Sequence, residues 1–294
     1  SLIFLPKCDL IWIEKELFPY LPSFMENIIL LKKIPYIIDY DDAIPIKYNN
    51  SDSIFVNFFL NNKLSKLIRN ASAVMVGNKY LEELCLHAGA VKTELIPTVV
   101  DKSIYIPSKA TSSSVITIGW IGTPKTSKYL KIVIPVLQKL SAIHHIKLVV
   151  IGDDDFKANK INIENIKWKE DTEIDSLNKI DIGIMPLIDA PWERGKCGYK
   201  LIQYLALAKP VVASPVGVNP DIVTPEVGFL AETEHEWYTA LNKLIIDSDQ
   251  RIAMGNAGED LVNKNYSKLN NQKKIENIIN KIIKKNDKKN FFLF

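Results

Sequence analysis

The chain has 294 residues, 47% apolar and 24% charged, which is room for two domains of ordinary size, or one large one, with real cores. Its 37 lysines and arginines against 34 aspartates and glutamates leave a formal charge of +3, too slight for a nucleic-acid-binding surface. Three scattered cysteines and four histidines without ligand spacing argue against a disulfide framework or a zinc site, and fit a reducing, cytoplasmic compartment.

In chain order, the opening S-L-I-F-L-P-K-C-D is too short and too soon charged for a signal peptide. No later apolar run approaches the roughly 20 residues of a membrane span. Asp9 to Glu14 reads as a buried strand, Ser23 to Lys33 as a helix, and Pro35 to Tyr40 as a second strand ending in Asp41 and Asp42. Phe55 to Arg69 is expected to be helical and Ala73 to Gly77 a strand. Asn78 should cap a helix running to about His87, and Thr93 to Pro97 adds a short strand. The small polar run Ala110 to Ser114 is the linker candidate and closes a first domain over 1–108.

The alternation then restarts. Val115 to Ile121 is a strand leading into Gly122-Thr123-Pro124, and Thr126 or Ser127 can cap a helix to about Ile143. Ile146 to Gly152 is a buried strand, after which Asp153 to Asp155 read as a solvated turn and not a metal cluster. Ile163 to Trp168 is a strand, Thr172 caps a brief helix, and Ile182 to Leu187 is the next strand. Val227 to Ala231 looks like an edge strand, followed by helices over about His235 to Ile246, Asp249 to Lys264 and Ser267 to Lys284. Strands alternating with helices imply an α/β chain with parallel sheets: two Rossmann-like domains, the second over 115–265. Residues 266–294 form an amphipathic, basic tail whose stripe Ile275, Ile278, Ile279, Ile282 and Ile283 packs inward, with at most a weak peripheral membrane contact on the lysine side.

The stretch P-W-E-R-G-K-C-G-Y-K-L-I-Q-Y-L-A-L-A-K-P-V-V-A-S-P-V-G-V-N, Pro191 to Asn219, holds the densest chemistry. Leu201, Ile202, Leu205 and Ala208 repeat at helical spacing, which puts Lys200 and Gln203 toward the polar side, and Pro210 is expected to end the helix. Gly217-Val218-Asn219 follows a short strand at its carboxyl end, where α/β folds bind ligands. A helix start flanked by Lys196 and Lys200 suits a phosphate.

In this order and spacing the motifs resemble those of retaining family 4 glycosyltransferases of the GT-B fold. They are I-D-Y-D-D-A-I, V-G-N-K-Y-L, I-P-T-V-V-D, G-W-I-G-T-P, D-I-G-I-M-P-L, the long segment above, G-F-L-A-E-T, M-G-N-A-G and the Tyr266-Ser267 pair. The resemblance implies transfer of a sugar from a nucleotide-diphosphate donor to a glycan or lipid-linked acceptor in a cleft between two domains. No metal or cofactor would be needed, and the product would be a cell-surface polysaccharide or glycolipid. Against complete relatives the first domain looks incomplete at its amino end. The resemblance assigns Lys196, Lys200 and Lys125 to the diphosphate, Gly122 and Thr123 to its backbone approach, and Gly217, Val218 and Asn219 to the sugar. Asp41 or Asp42 would orient the acceptor hydroxyl. The family's two glutamates, with seven residues between them, fall at Gly195 and Gln203, so both carboxylates are missing; Gln203 could still meet a ribose hydroxyl, and Glu193 could reach in for Gly195. Those departures favour a competing reading, a nucleotide-sugar-binding module without turnover. A third, a nucleotide-sugar epimerase, lacks identifiable acid and base groups.

Overall fold

The computed structural model describes residues 8–21, 34–48, 63–108 and 114–291, with side chains described to residue 286. The expected helix from Ser23 to Lys33, the front of the one from Phe55 and most of the linker lie outside these residues. The chain divides into two compact units. Ser1–Thr98, Ala190–Cys197 and Asn271–Phe294 form the first; Val99–Asp189 and Gly198–Asn270 form the second.

The first unit holds a parallel sheet of β1 (Ile11–Glu14), β2 (Tyr36–Tyr40), β3 (Ala73–Val76) and β4 (Thr93–Leu95), in that spatial order. Alternate residues of each strand serve opposite faces. Ile13, Ile38, Tyr40, Val74 and Val76 pack with Leu67, Ile68, Leu81 and Cys85 of helices Ser65–Asn70 and Lys79–His87. Ile37, Ala73 and Met75 on the other face meet Ile278 and Ile282 of the carboxyl-terminal helix, Lys268–Phe291. The isoleucine stripe therefore covers a sheet that would otherwise present an apolar face to water. Asn78 caps its helix as expected, its Oδ1 accepting the N–H of Leu81 at 2.8 Å.

The second unit is built on β5 (Ile116–Ile121), β6 (Ile146–Ile151), β7 (Ile163–Ile166), β8 (Ile182–Met185), β9 (Val211–Ala213) and β10 (Gly228–Leu230). All pairs are parallel, and the spatial order is β10-β9-β8-β5-β6-β7. Counted from its first strand this is the order 3-2-1-4-5-6 of dinucleotide-binding folds, and the winding reverses between β5 and β8. Apolar layers fill both faces, as a fully covered parallel sheet requires.

Several local expectations are corrected. Pro210 does not end the Tyr199–Ala206 helix: Ala208 does, in the left-handed region at φ 55°, with the Lys209 N–H returning to the Tyr204 carbonyl at 3.0 Å. The M-G-N-A-G motif explains the tight packing there. A Cβ on Gly255 would stand 2.1 Å from the Ala208 oxygen, and one on Gly258 2.5 Å from Leu205, so helix Ser248–Leu261 lies directly on this turn. Pressed between that helix and the sheet, Tyr199–Ala206 has no polar side beyond its first turn, and Gln203 is buried. Neither Thr126 nor Ser127 caps an α-helix. Ser127–Ile132 is a 3-10 stretch before helix Ile134–Ser141, and the Thr126 hydroxyl turns back to the Thr123 carbonyl at 3.0 Å. Thr172 makes no side-chain cap bond to helix Glu173–Asn178.

Candidate functional site

In the second unit the general rule for open α/β sheets points to the carboxyl ends of β5 and β8. Trp120 lies near the end of β5 and Gly122 follows it. Lys200, in the first turn of its helix, lays its ammonium over the Trp120 ring, 4.1 Å from the centroid. A Cβ on Gly122 would fall 2.6 Å from that ring and 2.7 Å from Lys200 Nζ, so the lysine head lies against the place that a side chain at 122 would take. The Trp120 ring thus braces the ammonium of a half-buried lysine at this strand end.

The backbone around this point is partly spent. The Gly122 N–H donates to the Ile151 carbonyl of the neighbouring strand at 2.9 Å and the Thr123 N–H to Thr126 Oγ1 at 3.2 Å, so the amides expected to meet a diphosphate are occupied, one by the sheet and one by a local turn. The exposed Thr123 hydroxyl and exposed Lys125 remain at the surface of the loop. After β9, Gly217 adopts φ 59°, and Asn219 is buried with Nδ2 donating to the Ser214 carbonyl at 2.9 Å. Asn219 thus shapes the loop. Its own N–H donates to Val216, whereas those of Gly217 and Val218 have no partner among the described residues.

Gln203, expected at a ribose, is 2% exposed and both its amide hydrogens are committed, to Tyr105 Oη at 2.8 Å and Glu173 Oε1 at 2.8 Å. Tyr105 in turn donates to Glu173 Oε1 at 2.7 Å, and Trp168 Nε1 donates to Glu173 Oε2 at 2.5 Å. The carboxylate in this cluster arrives from a helix start thirty residues away, which no motif spacing announces.

In the first unit the carboxyl end of β2 gathers Asp39, Asp41 and Asp42 beside Lys15 and Lys196. Lys15 Nζ pairs with Asp41 at 3.2 Å, and Lys196 Nζ stands 3.9 Å from Asp42. Burial raises the Asp42 carboxyl above its ordinary value and Asp41 adds to this, against Lys196 and Lys15. Asp39 is pushed up to about 6, first by burial and then by Asp41 and Glu14.

The segment bearing Glu193, Gly195 and Lys196 is held by Asn78, whose Nδ2 donates to the carbonyls of Arg194 at 3.2 Å and Lys196 at 3.0 Å. Gly195 rests on Ala43: a Cβ there would meet Ala43 Cβ at 2.6 Å and its nitrogen at 2.8 Å. What comes close to Gly195 is therefore protein. Glu193 is 5% exposed, too enclosed in this structure to stand in openly for a glutamate at 195. Burial pushes the Cys197 thiol up to about 12, so it is no nucleophile. Sequence reasoning also missed Glu16, a buried carboxylate bonded to Lys47 at 2.6 Å, Lys63 at 2.9 Å and Tyr48 at 2.7 Å; its partners lie far along the chain.

The raised Asp39 value has a stability consequence. An unfolded aspartate ionises near 3.8, so between that pH and about 6 the folded state holds the extra proton. Stability from this residue is therefore lost as pH rises through that window and stays lower above it. Asp39→Asn is expected to raise the unfolding temperature at pH 8 and to leave it unchanged below pH 4. Calorimetric scans at the two pH values check this, and an equal shift at both would assign the effect to packing.

Among the described residues, no three His, Cys, Asp or Glu side chains group as metal ligands would, and no helix is long and apolar enough to cross a membrane. No curated protein matches the sequence. Residues 113–247 match the family model described as Glycosyl transferases group 1. Among solved structures, the chain resembles a glycosyltransferase from Rickettsia africae at 15% identity and a TM-score of 0.71, covering 94% of this chain and 77% of that one. The Anabaena protein HepE in complex with UDP and glucose matches at 14% identity and 0.70, covering 92% and 77%. Sucrose-phosphate synthase from Thermosynechococcus elongatus matches at 14% and 0.69, covering 93% and 73%. At such identities the likeness speaks for the fold, and the fold is GT-B, with two Rossmann-like domains on parallel sheets.

Proposed function

We propose that the protein is a glycosyltransferase that moves a sugar from a nucleoside-diphosphate donor to an acceptor hydroxyl with retention, in the assembly of a cell-surface polysaccharide or glycolipid. The reading rests above all on the Lys200 ammonium beside Gly122, at the strand end where a 3-2-1-4-5-6 sheet reverses. The match of residues 113–247 to group 1 glycosyl transferases supports it. HepE was solved with UDP and glucose, which makes UDP-sugars the first donors to try.

In the reaction the acceptor oxygen bonds to the anomeric carbon as the bond from that carbon to the β-phosphate oxygen breaks. The nucleoside diphosphate leaves with the electron pair, and its oxygen takes the acceptor's proton. Negative charge grows on the leaving phosphate, so a fixed ammonium contributes most in the transition state. Lys200 is assigned that role with the Thr123 hydroxyl, and Lys125 lends a weaker, solvated charge. The N–H groups of Gly217 and Val218 serve the sugar, on the loop that Asn219 holds. Asp42, with Asp41 beside it, is assigned to the acceptor hydroxyl. Lys196 is assigned to the diphosphate by sequence resemblance, and its ion pair with Asp42 is a competing engagement. With ammonium and amide donors in these roles the reading needs no divalent metal. The exposed Lys273, Lys274, Lys281 and Lys284 suit a weak contact with an anionic bilayer, about 1 kcal/mol each, measurable by co-sedimentation with anionic vesicles.

A second reading, binding without turnover, is favoured by Gly195, where Ala43 leaves no space for the glutamate that the resembling enzymes carry. A panel of UDP-, GDP- and ADP-sugars with added glycan and lipid-linked acceptors separates the two. Transfer supports the enzyme, saturable donor binding without transfer or hydrolysis supports the module, and no binding at all overturns both.

A further inference from the structure

We infer that Glu173, on a different element from the buried Gln203, holds a ribose hydroxyl of the donor nucleotide. The inference deepens the proposed function and rests on the second unit being the nucleotide site.

The carboxylate is built into place from three sides. Oε1 accepts from Tyr105 Oη at 2.7 Å and Gln203 Nε2 at 2.8 Å, and Oε2 accepts from Trp168 Nε1 at 2.5 Å. The Tyr105 proton goes to Glu173, so the Tyr199 hydroxyl 3.3 Å away is the donor in their contact. Every neighbour therefore donates toward the carboxylate, directly or through Tyr105. An ionised carboxylate has about four acceptor positions. Three are filled, and Glu173 is only half-buried, with its flanking Trp168 and Tyr199 rings 49% and 44% exposed.

Its place relative to Lys200 can be followed along the strand ends. Lys200 and Gln203 lie three residues apart on one helix, neighbours along one face. Lys200 Nζ touches the position of Gly122, a Cβ on Gly152 would fall 2.2 Å from the Gly122 oxygen, and the same Cβ would lie 3.5 Å from Trp168 Cβ. The ends of β5, β6 and β7 thus run continuously from the ammonium to the carboxylate. A cation for phosphate at one end and a pure acceptor for a ribose hydroxyl at the other is the polarity of a nucleoside diphosphate. Acidic residues meet ribose hydroxyls in the same way in dinucleotide-binding folds.

The test is calorimetric titration of the full chain with UDP, GDP and ADP, the 2′-deoxy and 3′-deoxy forms of the best binder, and inorganic pyrophosphate. In the wild type, removing a ribose hydroxyl should weaken binding about tenfold or more, as loss of a hydrogen bond to a charged group does. E173Q should weaken the ribonucleotide by a similar factor, leave pyrophosphate unchanged, and add nothing to the loss already caused by the deoxy sugar. Equal wild-type affinity for ribo and deoxy forms would overturn the assignment even if E173Q failed to fold. So would unchanged ribonucleotide binding by a folded E173Q alongside a loss in Lys200→Ala, a result that spares the phosphate site. Failure of the wild type to bind any nucleotide or pyrophosphate would sink the underlying functional reading as well.

Discussion

Lys200→Ala is expected to weaken nucleoside-diphosphate binding by about 10- to 100-fold, the range of one charge-assisted contact of roughly 1.5–3 kcal/mol, and to lower the transfer rate further. The added loss in rate follows because the phosphate bears more charge when leaving than when bound. Removing the ammonium from Trp120 also forfeits a cation–π contact of about 0.5–2 kcal/mol, so a modest fall in thermal stability accompanies the change. Two companions separate charge from packing. Lys200→Met keeps much of the stem on the indole and should restore stability without restoring affinity. Lys125→Ala removes an exposed cation and should cost a few-fold at most. Titration with a nucleoside diphosphate and with pyrophosphate measures all three, and unchanged affinity in Lys200→Ala would remove the phosphate assignment.

The ordering of strands and helices was legible because parallel strands covered on both faces leave short, nearly continuous apolar runs. Ile146–Ile151, Ile182–Met185 and Tyr36–Tyr40 lie inside their expected bounds and fall short of them by one or two residues. A local signal such as Asn78 was readable because its bond to Leu81 spans three residues. Thr126 and Thr172 carry the same cap chemistry, but neither side chain bonds the start of its helix. The candidate site was half visible for the same reason. Lysines at a helix start can be read from spacing. What holds them cannot: Trp120 lies eighty residues before Lys200, and Asn78 reaches across 118 positions to Lys196. Gln203 looked polar-facing because helical periodicity counts one apolar face, whereas this helix is covered by the sheet on one side and a glycine-bearing helix on the other. Glycine 195 was the most misleading position. Read alone it is a missing glutamate; in three dimensions its missing side chain is where Ala43 sits.

That packing makes a sharp expectation for Gly195→Glu, which would reinstate the carboxylate carried at this register by the enzymes the chain resembles. Backbone conformation does not oppose the change, since the φ of −76° at Gly195 suits any residue. Space does. The new Cβ alone would press on Ala43 Cβ at 2.6 Å and on its nitrogen at 2.8 Å, and Ala43 is fully buried. Overpacking of this kind costs about 1–3 kcal/mol, and relief requires the Ala190–Cys197 segment to lift from the carbonyl bonds of Asn78, carrying Lys196 away from Asp42. The expected result is an unfolding temperature lower by several degrees and no gain in transfer. Gly195→Ala should show most of the stability loss, because the clash begins at Cβ. Adding Ala43→Gly to it should recover part, because the Cβ–Cβ contact vanishes while the nitrogen contact stays. Thermal melts of the single and double variants, with donor turnover beside them, decide the matter. A stable Gly195→Glu protein with faster transfer would mean that Ala43 yields easily and that the position is open to a carboxylate after all.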